Sequence, residues 1–212
     1  DLQDERFKGN SLAAGFVGEL RADQEKAVAQ MLRHDTGVLC APAAFGKTVM
    51  AAAIIAHRGV NTLVLVHRTE LLKQWRERLR TFLTIGKDVI GSIGGGKRKP
   101  TGQIDIAVMQ SLSRKGEISD LVEGYGQIIV DECHHVSAFS FEAILKRARA
   151  KYVLGLTATP IRRDGQQPII FMQCGPIRHK AAKAGGAPRA LDVVPRFLTT
   201  AIDLPQAAGI QD

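Results

Sequence analysis

Short runs of apolar residues alternate along the chain with longer stretches in which apolar residues recur every three or four positions. The short runs are typical of buried parallel strands, and the longer stretches of amphipathic helices. The runs predict strands at residues 37–40, 62–66, 88–90, 104–109, 127–130 and 152–155. The stretches predict helices at residues 20–33, 47–58, 70–82 and 140–150. Together they predict an α/β domain with a mostly parallel central sheet and helices on both faces.

Two segments interrupt this alternation. Residues 91–102 are rich in Gly and Lys, which predicts a mobile, basic loop. After Pro160, repeated Gly and Pro residues predict a tail of loops and two short strands.

Composition narrows the class of protein. The chain has 212 residues, of which 45% are hydrophobic and 24% charged, as in an ordinary globular domain. The longest apolar run, residues 49–56, is far shorter than the roughly twenty residues of a membrane-spanning helix, so we expect no membrane contact. Three scattered cysteines argue against a disulfide framework and favour the cytoplasm. A net charge of +8 suits a polyanionic partner, and an aromatic content of 5% favours phosphate contacts over base stacking.

A candidate phosphate-binding loop occupies residues 40–48, between a predicted strand and a predicted helix. At such a turn the free N–H groups of the helix start face the phosphate. Lys47 can reach the terminal phosphates, and the Thr48 hydroxyl can join a magnesium shell. Read alone, Gly46, Lys47 and Thr48 could also be a simple helix start.

Two carboxylates follow the predicted strand at residues 127–130. Because the carboxyl ends of parallel strands meet at one edge, Asp131 and Glu132 can face the candidate phosphate loop. Asp131 would hold the metal, directly or through water, and Glu132 would polarise the attacking water. The alternative is an acidic helix cap after the strand.

Residues 131–134, Asp-Glu-Cys-His, resemble the DEAH box of superfamily 2 helicases. Residues 20–24 look like the adenine-reading motif, 64–75 resemble motif Ia, 105–112 the next nucleic-acid motif, and 157–160 motif III. The continuation through residue 165 is similar to the branch containing XPB-like helicases and restriction-enzyme motor subunits. The resemblance covers residues 20–165 and implies a RecA-like P-loop NTPase fold that uses ATP and Mg²⁺.

The resemblance also implies roles for individual residues. The nucleotide contacts would be Arg21, Gln24, Ala43, Ala44, Phe45, Gly46, Lys47, Thr48 and Val49. Lys47 and Glu132 would be catalytic, and Thr48 and Asp131 would hold the metal. Nucleotide state would be coupled to the strand-binding face through His134, Thr157 and Thr159. Nucleic acid would contact His67, Arg68, Thr69, Gln110 and Ser111. Taken singly, each of these residues could also be a solvated polar residue of a loop.

The candidate phosphate loop departs from the family pattern. Ala44 replaces a glycine, which would cost about 1 kcal/mol if its φ were positive. Phe45 adds bulk that could pack toward the adenine side or toward a second domain. Trp75 shares helical spacing with Leu71 and Leu79, which predicts a core residue. We do not expect a metal site at residues 133–135, because three adjacent residues cannot all point inward.

The resemblance implies a domain organisation and a function. Residues 1–19 would be an N-terminal extension, 20–165 the first RecA-like domain, and 166–212 its end with a connector toward a second RecA-like domain. The function expected is the ATP-binding half of a nucleic-acid helicase or translocase, poorly hydrolytic without the second domain's arginine. DNA is the favoured partner, although backbone contacts do not separate it from RNA. The alternative is an ATP-gated binding module that does not translocate; a P-loop kinase would leave residues 20–24 and 157–160 without a role.

Overall fold

The computed structural model describes residues 4–114, 117–133, 138–158 and 167–181. The strands are β1 (Gly15–Phe16), β2 (Thr36–Cys40), β3 (Thr62–Val66), β4 (Leu83–Thr84), β5 (Ile90–Gly94), β6 (Lys97–Lys99), β7 (Ile104–Val108), β8 (Ser113–Arg114), β9 (Glu117–Ile118), β10 (Gln127–Val130), β11 (Tyr152–Thr157) and β12 (Ile177–Lys180). The α-helices are α1 (Ala22–Leu32), α2 (Lys47–Arg58), α3 (Glu70–Phe82), α4 (Ala138–Arg147) and α5 (Gln167–Cys174). Short 3-10 turns cover Ala43–Phe45, Met109–Leu112 and Asp120–Gly124.

Eight of these strands form the central sheet, in the order β12-β2-β11-β10-β3-β7-β5-β6. All neighbours in it pair in parallel except β5 and β6, which form an antiparallel edge hairpin. Because the other strands run the same way, their carboxyl ends lie along one edge of the sheet. The mostly parallel α/β fold predicted from the alternating pattern is confirmed.

Helices cover both faces of the sheet, as the alternating pattern predicts. On one face, α1, α2 and α3 pack against strand residues such as Leu39 and Val64. On the other face, α4 and α5 pack against Val38 and Leu63, the neighbours in sequence of the first pair. Successive strand residues point to opposite faces, which is why these strands are apolar without interruption.

The predicted bounds of α2, α3, β3 and β10 agree with the structure, and those of α1, α4, β2, β7 and β11 differ by a few residues. The prediction for the tail is wrong in one respect, because residues 167–181 hold one helix, α5, and one strand, β12. Pro168 lies in the first turn of α5, where a missing N–H breaks no helical hydrogen bond.

The prediction of a mobile loop at residues 91–102 is wrong. Residues 90–99 form the β5–β6 hairpin, and the strand expected at 88–90 is instead β5, Ile90–Gly94. Gly91 is required there because a Cβ would collide with the Asp105 carboxylate on the neighbouring strand. The three basic residues of β6 are exposed, which is a common way to protect a sheet edge. Local composition therefore suggested a loop where sheet pairing makes a strand.

The described residues before α1 pack on the domain. Leu12 is 5% exposed within the α1–α3 core, and β1 pairs with β4. The Phe7 carbonyl accepts a hydrogen bond from Lys151 N at 2.9 Å. In the part of the chain that the structure describes, no helix is long and apolar enough to cross a membrane.

Candidate functional site

A cleft of about 430 Å³ opens at the carboxyl edge of the sheet. Its walls come from the segment after β2 and the first turn of α2, the residues directly after β3 and β10, and one face of α3. The residues lining it are Ala43, Ala44, Gly46, Lys47, Thr48, Val49, His67, Leu71, Gln74, Trp75, Arg78, Phe82, Asp131 and Glu132. The structure therefore brings the candidate phosphate loop and both predicted carboxylates to one cavity.

The candidate phosphate loop connects β2 to α2 through a 3-10 turn at Ala43–Phe45. Gly46 has φ 88° and ψ 41°, a left-handed conformation that turns the chain into the first residue of α2. The strain considered for Ala44 does not arise, because Ala44 lies inside the turn and its φ is not positive. The loop thus reaches its shape with glycine at position 46 and alanine at position 44.

The start of α1 is joined to the loop through Phe45. The Gln24 side chain is 3% exposed, and its Nε2 donates to the Phe45 carbonyl at 2.8 Å. Arg21 Nη2 also donates to that carbonyl at 3.3 Å, while its guanidinium lies 5.3 Å from the centroid of the Phe45 ring. Gln24 Oε1 accepts a hydrogen bond from Arg21 N at 3.0 Å. The bulk of Phe45 therefore packs toward the predicted adenine-reading residues.

Lys47 links the loop to the strand-end carboxylates. Its side chain is 7% exposed, and its Nζ lies 2.9 Å from Glu132 Oε1 and 3.3 Å from the Ala41 carbonyl oxygen. Among the described residues, Glu132 is the one non-glycine with positive φ, at 47°. Such backbone strain, on the order of 1–3 kcal/mol, concentrates at functional sites. The cleft thus brings together a buried lysine and the carboxylate of a residue whose backbone is strained.

Asp131 is held by contacts on two sides. Its backbone N–H donates to the Leu65 carbonyl at 2.9 Å, and its Oδ2 accepts a hydrogen bond from Trp75 Nε1 at 2.7 Å. Burial raises the pKa of the Asp131 carboxyl above its usual value, while the Trp75 hydrogen bond lowers that pKa. The neighbouring charge of Glu132 raises the pKa, and that of Lys47 lowers it.

The predicted coupling residues are partly described. Thr157 is 1% exposed at the end of β11, and its carbonyl accepts a hydrogen bond from Ala41 N at 2.8 Å. This contact ties the end of β11 to the candidate phosphate loop. His134 and Thr159 lie outside the described residues.

The predicted nucleic-acid residues follow two adjacent strands. β3 and β7 pair in parallel with Val66 opposite Val108, so the segments after both strands share one rim. The exposed members of the set on this rim are Arg68, Thr69, Gln110 and Ser111. His67 differs from them, because it is half-buried and lines the cleft beside the candidate phosphate loop.

Trp75 belongs to the candidate site, although the sequence predicted only that it is a core residue. Its predicted burial is confirmed at 2% exposure, but Trp75 also lines the cleft and its N–H contacts Asp131. Gln74 and Arg78 of the same helix line the cleft as well. The one available signal was chemical, since a buried indole N–H usually has an acceptor.

Comparison with known proteins agrees with this fold. Residues 18–162 match the family described as "Type III restriction enzyme, res subunit". The DNA 3'-5' translocase XPB2 of Sulfurisphaera tokodaii is 32% identical over 162 residues, which are 76% of this chain and 36% of that protein. The putative DNA 3'-5' helicase Rad25 of Halobacterium salinarum is 36% identical over 79% of this chain and 28% of that protein. The crystal structure of the UvsW helicase from bacteriophage T4 superposes with a TM-score of 0.64 at 20% identity, covering 82% of this chain and 62% of that one.

The sheet order and the likeness to the UvsW helicase together define a RecA-like α/β fold. The chain belongs to the type III restriction enzyme res-subunit family, and helicases and translocases of the XPB type are similar to it in sequence. It spans about a third of the length of those two relatives.

Proposed function

We propose that this chain supplies the ATP-binding half of an ATP-dependent nucleic-acid helicase or translocase. The observation that carries the proposal is the meeting of Lys47 with Asp131 and Glu132 in one cleft at the carboxyl edge of the sheet. Family membership supports the same reading, because the similar relatives are named DNA helicases or translocases.

The residues present fit a magnesium-bound nucleoside triphosphate. The start of α2 after Gly46 offers backbone N–H groups to phosphate, and Lys47 offers a buried positive charge. The Thr48 hydroxyl and the Asp131 carboxylate line the same cleft, and oxygen ligands of this kind suit Mg²⁺. When bound, the metal neutralises the charge that develops on the transferring phosphoryl group.

The ion pair between Lys47 and Glu132 suggests how binding prepares the chemistry. A phosphate at the loop competes with Glu132 Oε1 for the Lys47 ammonium, which lies 2.9 Å away. Once Lys47 turns to the phosphate, Glu132 is released to orient the attacking water and accept its proton. Gln24 and Arg21 would position the adenine end through their contacts with Phe45.

Mg·ADP binding tests the nucleotide site. We expect calorimetry to show binding by the unchanged chain and loss of binding in Lys47→Ala, with circular dichroism confirming that the variant folds. Lys73→Ala is the matched control, since Lys73 is 85% exposed on α3 and outside the cleft. Absence of binding by the unchanged chain, or equal binding by Lys47→Ala, would contradict the proposal.

Nucleic-acid contact is proposed at the rim formed by Arg68, Thr69, Gln110 and Ser111, together with His67. We expect binding to DNA to fall with salt, and Arg68→Ala to reduce the slope of log affinity against log salt by about one. Arg80→Ala removes the same charge from the far end of α3 and serves as the control. If the two variants change the slope equally, the rim has no special part in binding.

We further propose that the chain alone hydrolyses ATP slowly. The resemblance to superfamily 2 implies that the arginine required for phosphoryl transfer comes from a second RecA-like domain. Absence of such an arginine costs about 10³ to 10⁵ in rate. Rapid DNA-stimulated turnover by this chain would overturn that part of the proposal. Movement along DNA by a protein that contains this chain would separate a translocase from an ATP-gated binding module.

A further inference from the structure

Trp75 places a hydrogen-bond donor against the proposed metal ligand. It lies in the middle of α3, is 2% exposed, and packs in the same core as Leu79. The indole has one polar group, an N–H that can only donate. That group points at Asp131 Oδ2 across 2.7 Å, and the two residues are 56 positions apart in the chain.

The hydrogen bond from Trp75 fixes the orientation of the whole Asp131 carboxylate. A carboxylate is planar, so a hydrogen bond at one oxygen also sets the direction of the other. The backbone of Asp131 is fixed independently by its N–H bond to Leu65 O. Partners that hold a metal ligand in this way tune a site without touching the metal, and their loss typically costs about 10- to 100-fold in metal affinity or activity.

A second hydrogen bond between a buried side-chain donor and a buried carboxylate has a purely structural role. Tyr125 donates its hydroxyl to Asp105 Oδ2 at 2.6 Å in the core on the opposite face. Asp105 is fully buried, and its carboxylate also accepts from Thr101 N and Gly102 N, so it serves the fold. Asp131, in contrast, lines the cleft beside Thr48.

We propose that Trp75 is a positioning residue for the nucleotide site. Its indole N–H holds the Asp131 carboxylate in the orientation that receives the magnesium ion of Mg·ATP. The inference rests on the proposed function, because Trp75 can have this role only if Asp131 binds that metal.

The test compares the magnesium dependence of ADP binding in matched variants. Trp75→Phe removes the donor, and replacement of Trp75 by 3-benzothienylalanine removes the N–H while keeping the shape of the ring. Tyr125→Phe is the control, since it deletes a donor to a buried carboxylate outside the cleft. For each protein, calorimetry gives the ADP affinity in EDTA and the Mg²⁺ concentration that gives half of the metal-dependent gain.

We expect both changes at Trp75 to raise the Mg²⁺ requirement about 10- to 100-fold while the ADP affinity in EDTA changes less than about 2-fold. Tyr125→Phe should lower the melting temperature and leave the Mg²⁺ requirement unchanged. A merely structural role for Trp75 would produce the Tyr125→Phe result, which would overturn the inference and leave the proposed function intact. If Trp75→Phe does not fold, the benzothienylalanine protein decides the question. If the unchanged chain binds no Mg·ADP, the proposed function fails and the role of Trp75 fails with it.

Discussion

Replacement of Gly46 by alanine tests how the candidate phosphate loop is held. Gly46 has φ 88°, which an L side chain rarely adopts. A Cβ at this position would lie 2.6 Å from Gln24 Nε2 and 3.1 Å from Val49 Cγ1. Gly46→Ala therefore strains the backbone and also displaces the Gln24 amide from the Phe45 carbonyl.

The hairpin glycine Gly96 separates these two effects. Its φ is 77°, and a Cβ there would have no heavy atom within 4 Å. Gly96→Ala should cost only the left-handed backbone penalty of about 1–2 kcal/mol. Gly46→Ala should cost that penalty and, in addition, the Gln24 hydrogen bond, worth about 0.5–1.5 kcal/mol. The lower entropy of an unfolded chain with alanine is the same in both variants and cancels from the difference.

Urea unfolding followed by circular dichroism measures the free energy of unfolding of each variant. Calorimetry with Mg·ADP measures the nucleotide affinity of the candidate phosphate loop. We expect Gly46→Ala to be less stable than Gly96→Ala by about 0.5–1.5 kcal/mol and to bind ADP more weakly. Gly96→Ala should bind ADP as the unchanged chain does. Equal stability losses in the two variants, or unaltered ADP binding by Gly46→Ala, would show that Gly46 does not hold the loop in this way.

Three further predictions concern Ala44, Trp75 and the cysteines. Ala44→Gly should lower the free energy of unfolding by up to about 1 kcal/mol, because residue 44 lies in a 3-10 turn where glycine only adds unfolded-state entropy. The same change should not improve ADP affinity. Tighter ADP binding measured by calorimetry would contradict this prediction. Trp75 is the one tryptophan of the chain and lies in the cleft, so Mg·ADP should change the intrinsic fluorescence of the unchanged chain, and a constant spectrum at saturation would show that nucleotide binds elsewhere. Burial raises the pKa of the Cys133 thiol to about 12 and also raises the pKa values of Cys40 and Cys174. A thiol reagent at pH 8 should therefore modify all three only after unfolding, and fast modification of the native chain would contradict their burial.

Local sequence pattern was enough to predict several of the helices and strands. The apolar run of β3 and the period of α2 and α3 specify those elements, because burial on both faces or on one face imposes a distinct spacing. The position of Lys47 and Asp131 at strand ends was predictable for the same reason. Once the sheet is parallel, these ends must share an edge.

Tertiary structure decided the contacts between residues that are distant in the chain. Composition at residues 91–102 predicts a loop, but pairing of β5 with β7 and close approach to Asp105 make it a hairpin. Helical spacing placed Trp75 in the core, but only the packing of α3 against the sheet determines that its N–H meets Asp131. Periodicity records which face of an element is buried, whereas the acceptor that a buried donor finds depends on how separate elements pack together.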